Sequence, residues 1–234
     1  MRPVIAGPRQ RGISLFVVMV MVLLTTLLVM ATSRTALLNE MLTGNDSDYQ
    51  RALEAAHAMV RDAEMDIKGE HPDGTACNGG CRAEGPGTPS GVGAVFYPTT
   101  PTELQDLQAT LAASTPSCAA GICVPDNLHP RFWDDKTSLE AMKKRAASYG
   151  AHTGAKASET GNPLLVSGTE QRAWYWVELL PYDMSGATAG GAAEALSPDS
   201  DTPYIYRITA VAQGRKPGTQ AVVRTILVRK DARS

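Results

Sequence analysis

The chain has 234 residues and a formal net charge of −2, a length that allows one domain or two small ones. Its 22 basic residues, less the three among the first twelve, leave 19, five fewer than its 24 acids. That mildly acidic balance excludes a nucleic-acid binder, which needs a basic face.

The first elements form an unusual series. Residues 1–12, MRPVIAGPRQRG, carry Arg2, Arg9 and Arg11 and no acid. From Gly12 to Ser33 no side chain is ionisable, and the only polar ones are hydroxyls. About 20 apolar residues span a bilayer core as a helix. A basic amino-terminal flank stays in the cytoplasm. Residues 13–33 are therefore expected to form a single membrane helix, with everything after Ser33 outside the cytoplasm. A secretory signal has a shorter apolar core, about 7 to 15 residues, and then a small-x-small cleavage site. VMATS offers Ala31 and Ser33, but the run is long for a signal, so a retained helix fits better.

The helical pattern continues over 34–69. Apolar residues recur at Tyr49, Leu53, Ala56, Val60, Ala63 and Ile67, a stripe along one helical face. The segment TGNDSD, with Gly44 and Asn45, predicts a break or kink, after which Asp46 or Ser47 caps a restarted helix. Gly69 is the expected stop. Continuous helix over 13–68 would reach roughly 80 Å at about 1.5 Å per residue.

Beyond it, 92–98, 173–181, 204–214 and 219–230 read as strands, rich in β-branched and aromatic residues between Gly and Pro. The last two, joined through GRKPG, predict an antiparallel hairpin. Tyr204, Tyr206, Ile208 and Ala210 share one face, with Arg207 and Thr209 on the other. In 173–181, Trp174 and Trp176 point one way and Tyr175, Val177 and Leu179 the other. One sheet face is expected to pack on the helix near 49–67, an α+β arrangement of a helix over an antiparallel sheet. A helical region is inserted at about 98–150. One helix there has a Thr100–Glu103 capping box and Pro101 in its first turn. A second has Thr137 with Glu140 and stops at Gly150. Segments 69–91 and 183–203 read as loops.

Cys77 and Cys81 lie in CNGGC, and Cys118 and Cys123 in CAAGIC. Four cysteines permit three pairings. Outside the cytoplasm disulfides are favoured over thiols. Local pairs closing the two small loops are the first choice and crossed pairs the second. A four-cysteine zinc site is the sharper alternative, but neither spacing is the usual two-residue gap. The residues His57, His71, His129 and His152 are scattered, without H-E-x-x-H spacing. Asp134 with Asp135, and Asp199 with Asp201, have oxygens that suit calcium, yet such pairs read as exposed turn residues. Trp133, Trp174 and Trp176 read as core or partner-contact aromatics. No nucleophile has a plausible base. No catalytic residue, metal or cofactor is assigned.

RGISLFVVMVMVLLTTLLVMATSR followed by LLNEMLTGNDSDYQRALEAAHAMVRDAE resembles the amino-terminal region of PilX-type minor pilins of bacterial type IV pili. The stretch YIYRITAVAQGRKPGTQAVVRTILVRK resembles that family's final hairpin. The middle, about 70–170, carries no such resemblance. The resemblance implies a type IV pilin-like fold: leader 1–12, transmembrane helix 13–33, amphipathic continuation 34–69, and a periplasmic or extracellular α+β domain over 70–234. It implies cleavage after Gly12 by prepilin peptidase and N-methylation of Ile13. The function implied is that of a non-enzymatic minor pilin in pilus initiation and assembly, near the tip. Its location would be the inner membrane and the pilus, and its partners other minor pilins, the major pilin and a tip adhesin. Two residues depart from the pattern. Most pilins have a glutamate fifth after the cut, where this chain has Val17, and His57 replaces a frequent glutamate. The absent acid suits a subunit at a filament tip, as in the related type II secretion pseudopilin. That pseudopilin, and a membrane-anchored periplasmic binding module, are the competing readings.

Overall fold

The computed structural model describes residues 13–77, 81–82, 95–125, 131–158, 161–168, 170–183, 197–199 and 203–229. Helix α1 runs Ile13–Lys68, and the chain divides within it into two compact units, one ending at Ser47 and one beginning at Asp48. In the first unit the apolar side chains from Leu15 to Leu42 are exposed. The hydroxyls of Thr25, Thr26, Thr32 and Thr35 donate back to carbonyls one turn earlier, so none needs water. The expected break at Gly44 is not there, and α1 is helical through TGNDSD. Glycine in a helix costs only about 1 kcal/mol, which strong helix formers on both sides offset. Asp46 and Ser47 therefore cap nothing.

The second unit builds its core from the last turns of α1. Ala52, Ala55, Ala56, Met59, Ala63 and Ile67 are buried, Leu53 is partly buried and Tyr49 is exposed. The buried face is thus rotated slightly from the stripe read in the sequence, and its alanines allow close packing. Against it lies a five-stranded sheet of order β1-β2-β3-β4-β5: β1 (Cys118–Ala119), β2 (Ile122–Cys123), β3 (Ala173–Pro181), β4 (Tyr204–Gln213) and β5 (Gln220–Leu227). Neighbours are antiparallel except β2 with β3. Strand period two divides the side chains as the sequence indicates. Tyr175, Val177, Leu179, Tyr206, Ile208 and Ala210 join the α1 core. Trp174 and Trp176 face the other way, into a second cluster with Phe132, Leu139 and Met142. Phe132 packs edge-on to Trp176 at 4.8 Å, and the indole N–H donates to Met142 O at 3.1 Å.

Helix α2 (Pro101–Ala112) has the expected Thr100–Glu103 capping box, with Pro101 in its first turn. Helix α3 (Lys136–Lys143) differs from its sequence reading. Asp135, not Thr137, is its cap and accepts from Ser138 N–H at 2.7 Å, while Glu140 is held by Lys143 Nζ at 2.7 Å. The helix ends well before Gly150 because the chain turns to the sheet. Ala147 and Tyr175 exchange both backbone hydrogen bonds at 3.1 Å. The strand read at 92–98 is also corrected. Residues 92–94 lie outside the described set, and 95–98 are buried but pair with no strand there. Side chains satisfy this stretch instead: Arg82 Nη1 donates to Val95 O, and Tyr204 OH donates to Pro98 O. The leader 1–12, with Gly12, and most of the loops 69–91 and 183–203, lie outside the described residues.

Candidate assembly stem and buried polar anchor

Ile13, the residue expected to become the new terminus, is the first of α1, while Gly12 lies outside the described residues. The following stretch is apolar and long enough to cross a membrane. At the fifth position Val17 is 47% exposed. A valine there adds to the apolar surface and brings no charge that a neighbour must match.

The other end of α1 is fastened by a polar cluster. Asp66 Oδ2 accepts from Arg82 Nη2 at 2.9 Å, Tyr97 OH at 3.1 Å and Tyr175 OH at 2.9 Å. Arg82 Nε adds bonds of 3.1 and 3.2 Å to both carboxylate oxygens, and Arg82 Nη2 also donates to Ala120 O at 2.8 Å. The two charged side chains are 0% and 4% exposed, so the pair faces no solvent. Burial alone would lower the Arg82 guanidinium, but Asp66 and the two phenols hold it above the ordinary arginine range. Burial and then Asp66 push Tyr97 and Tyr175 well above the usual phenol range. The cluster joins α1 to the β1–β2 turn, the Val95 stretch and β3.

One turn earlier, Asp62 accepts from Gly150 N–H at 2.8 Å and from the Thr153 hydroxyl. Burial raises it to about 6 against those two bonds. His152 is buried, and burial, followed by the nearby Arg82, lowers it to about 4. Its Nδ1 has no hydrogen-bond partner among the described residues. At the start of this unit, Asp48 takes the tip of the β4–β5 hairpin. Its carboxylate accepts from Arg215 N–H at 3.0 Å and Lys216 N–H at 2.9 Å.

The structure joins Cys77 to Cys81 and Cys118 to Cys123. The second pair faces across β1 and β2, whose two-residue turn has Ala120 and Gly121 both at positive φ. The His71 ring lies beside the first pair, with Nε2 3.6 Å from Cys77 Sγ. His57 is exposed on α1, and His129 and Asp201 are outside the described residues. Asp134 pairs with Arg131 at 2.6 Å and Asp135 caps α3, so that acidic pair has structural work. Trp133 stacks under the Arg224 guanidinium at 4.7 Å. The sequence reading missed Asp62, Asp66 and Arg82, and set His71 aside as one of four scattered histidines. The one available signal was two acids four apart inside an apolar stripe, beside Ala63 and Ile67.

Two family profiles match the chain: Type IV pilus assembly protein PilX C-term over residues 81–229, and PilX N-terminal over residues 11–60. No curated protein and no solved structure matches it. Together the profiles reach both the exposed stem and the anchored sheet, including most of the middle that lacked a resemblance in sequence. The chain belongs to the PilX family of type IV pilus assembly proteins.

Proposed function

We propose that this chain is a minor pilin that acts near the pilus tip, in the initiation of assembly. In this reading the precursor sits in the inner membrane with residues 1–12 in the cytoplasm. Prepilin peptidase cuts after Gly12, Ile13 is methylated, and the apolar half of α1 then packs against the stems of other minor pilins and the major pilin. Removal of Arg2, Arg9 and Arg11 takes away the charges that hold the leader on the cytoplasmic side. The observation that carries the reading is the exposed apolar run from Leu15 to Met30, followed by exposed Leu37, Leu38, Met41 and Leu42, on a helix that runs into an anchored α+β unit. The protein works by binding, as a structural subunit, and not by catalysis.

Val17 supports the tip position. An unpaired buried carboxylate costs several kcal/mol, so an acid at this site helps only where a neighbouring terminus matches it. A subunit lacking the acid fits best where no such match is made. The same residue also favours a second reading, a tip pseudopilin of type II secretion. Deletion of the gene separates them. Loss of surface pili with secretion intact supports the minor pilin, and loss of secretion with normal pili supports the pseudopilin.

A further inference from the structure

The sheet ends at β5. Among the described residues β4 lies on one side of it and no strand lies on the other. The opposite edge is the two-residue β1, too short to receive a partner strand. Strand β5 pairs with β4 in unbroken register from Gln220 to Leu227, without a bulge, and holds no proline. It thus lacks two of the devices by which proteins close an exposed edge. Ile226 is 59% exposed, and Arg224 beside it is exposed as well.

In an antiparallel pair each residue turns both backbone groups to one side, and successive residues alternate. Gly214 N–H donates to Thr219 O at 2.9 Å, and Gln213 N–H donates to Arg172 O at 2.7 Å on the β3 side. These two bonds set the phase. Ala221, Val223, Thr225 and Leu227 therefore bond to β4, and the N–H and C=O groups of Val222, Arg224 and Ile226 point outward. A charged side chain laid across the edge is a third closing device. Here Arg224 is turned inward instead. Its Nε donates to Thr209 Oγ1 of β4 at 3.0 Å, and its guanidinium lies 4.7 Å from the centre of the Trp133 ring. The backbone of the edge stays open.

The side chains say what would fit. On the α1 face the edge presents Val223 and Leu227, partly buried against the core. On the other face Arg224 has no carboxylate within ion-pair distance among the described residues, because Glu178 is taken by Arg207 in two bonds of 2.5 and 2.7 Å. Residues 215–230 hold five basic side chains and no acid. A second copy of β5 laid alongside would double that charge, and like charges across a pair of strands are destabilising. We propose that β5 accepts a sixth strand from a different protein, an extended segment with apolar residues on the α1 face alternating with acids on the Arg224 face. Main-chain bonds to Val222, Arg224 and Ile226 supply the affinity, and the acids opposite Arg224 supply the selectivity. The apolar stem of α1 takes no part in this contact.

The test uses the full-length protein in detergent. The probe is a short labelled peptide of alternating valine and glutamate, with a valine–lysine peptide as its control. Binding is followed by fluorescence anisotropy and by amide hydrogen exchange. The expected result is saturable binding of one glutamate peptide per chain, roughly tenfold or more tighter than the lysine peptide. Exchange at Val222, Arg224 and Ile226 should slow on binding, while that at Ala221, Val223 and Thr225, already bonded to β4, changes little. Arg224→Glu should reverse the preference between the peptides. Ile226→Pro removes only an outward N–H, which an edge strand tolerates, and should abolish binding. If that variant misfolds by circular dichroism, the exchange pattern of the wild type decides. Four results overturn the proposal: no saturable binding, equal binding of both peptides, unchanged exchange at the three outward amides, or binding kept by folded Ile226→Pro. A dimer of the chain in sedimentation that Ile226→Pro breaks also overturns it, since it assigns the edge to a second copy.

Discussion

Asp66 gathers three side-chain donors, Arg82, Tyr97 and Tyr175, on one buried carboxylate of the second unit. Its carboxylate receives a guanidinium and two phenols out of water, so removing it leaves Arg82 as a buried charge without its partner. Breaking a buried pair from one side costs about 3–5 kcal/mol. Asp66→Ala should therefore unfold at much lower denaturant than Tyr175→Phe, which loses one bond of about 1–2 kcal/mol. Chemical unfolding of the detergent-solubilised chain, followed by circular dichroism, measures both. Two neighbours give the unit opposite responses to acid. His152 is depressed to about 4 from an ordinary 6.5, so the unfolded chain binds its proton first. Its stabilising contribution is whole above pH 6.5 and falls as the pH drops toward 4, by up to roughly 3 kcal/mol. Asp62 is raised to about 6 from 3.8, so the native state binds that proton first, and its contribution grows as the pH falls from 6 to 3.8. In the wild type the two partly cancel. Asp62→Asn should make stability fall more steeply between pH 6.5 and 4, and His152→Gln should flatten or reverse the fall. Parallel pH profiles for the three proteins would contradict this assignment.

At the scale of elements, local chemistry was legible and long-range choice was not. The Thr100–Glu103 box and the alternation in β3 and β4 were readable because their partners lie within a few residues or on a strict period of two. The cap of α3 was not, because Asp135 and Thr137 are both good capping residues and only the fold brings the Asp135 carboxylate to accept from Ser138 N–H. A direct comparison follows. Asp135→Ala should lower the thermal midpoint by the equivalent of about 1 kcal/mol, and Thr137→Ala should change it little. The Val95–Pro98 stretch looked like a strand because its composition suits burial. Its carbonyls are taken by Arg82 and Tyr204, which no local pattern announces. The Asp66 anchor was hidden for the same reason, since its partners lie 16, 31 and 109 residues away. On the second face of the sheet, Trp176 fills the space under α3, and Trp176→Ala should cost about 3–5 kcal/mol.

At the scale of the molecule, the two halves of α1 follow opposite rules of burial. From Leu15 to Leu42 the apolar side chains are exposed, and from Ala52 to Ile67 they are covered by the chain's own sheet. A large uncovered apolar surface on one helix needs lipid or other helices around it. The same helix serves both settings in turn if the basic leader is removed and the rest retained. The proposed function therefore depends on the cut after Gly12 and the survival of Ile13 as the terminus in the fibre. The most direct measurement is the intact mass and terminal peptide of this protein recovered from sheared, washed pili. A chain cut after Gly12 begins at N-methylated Ile13. A chain that begins at Met1, or at a residue beyond Ser33, would contradict it.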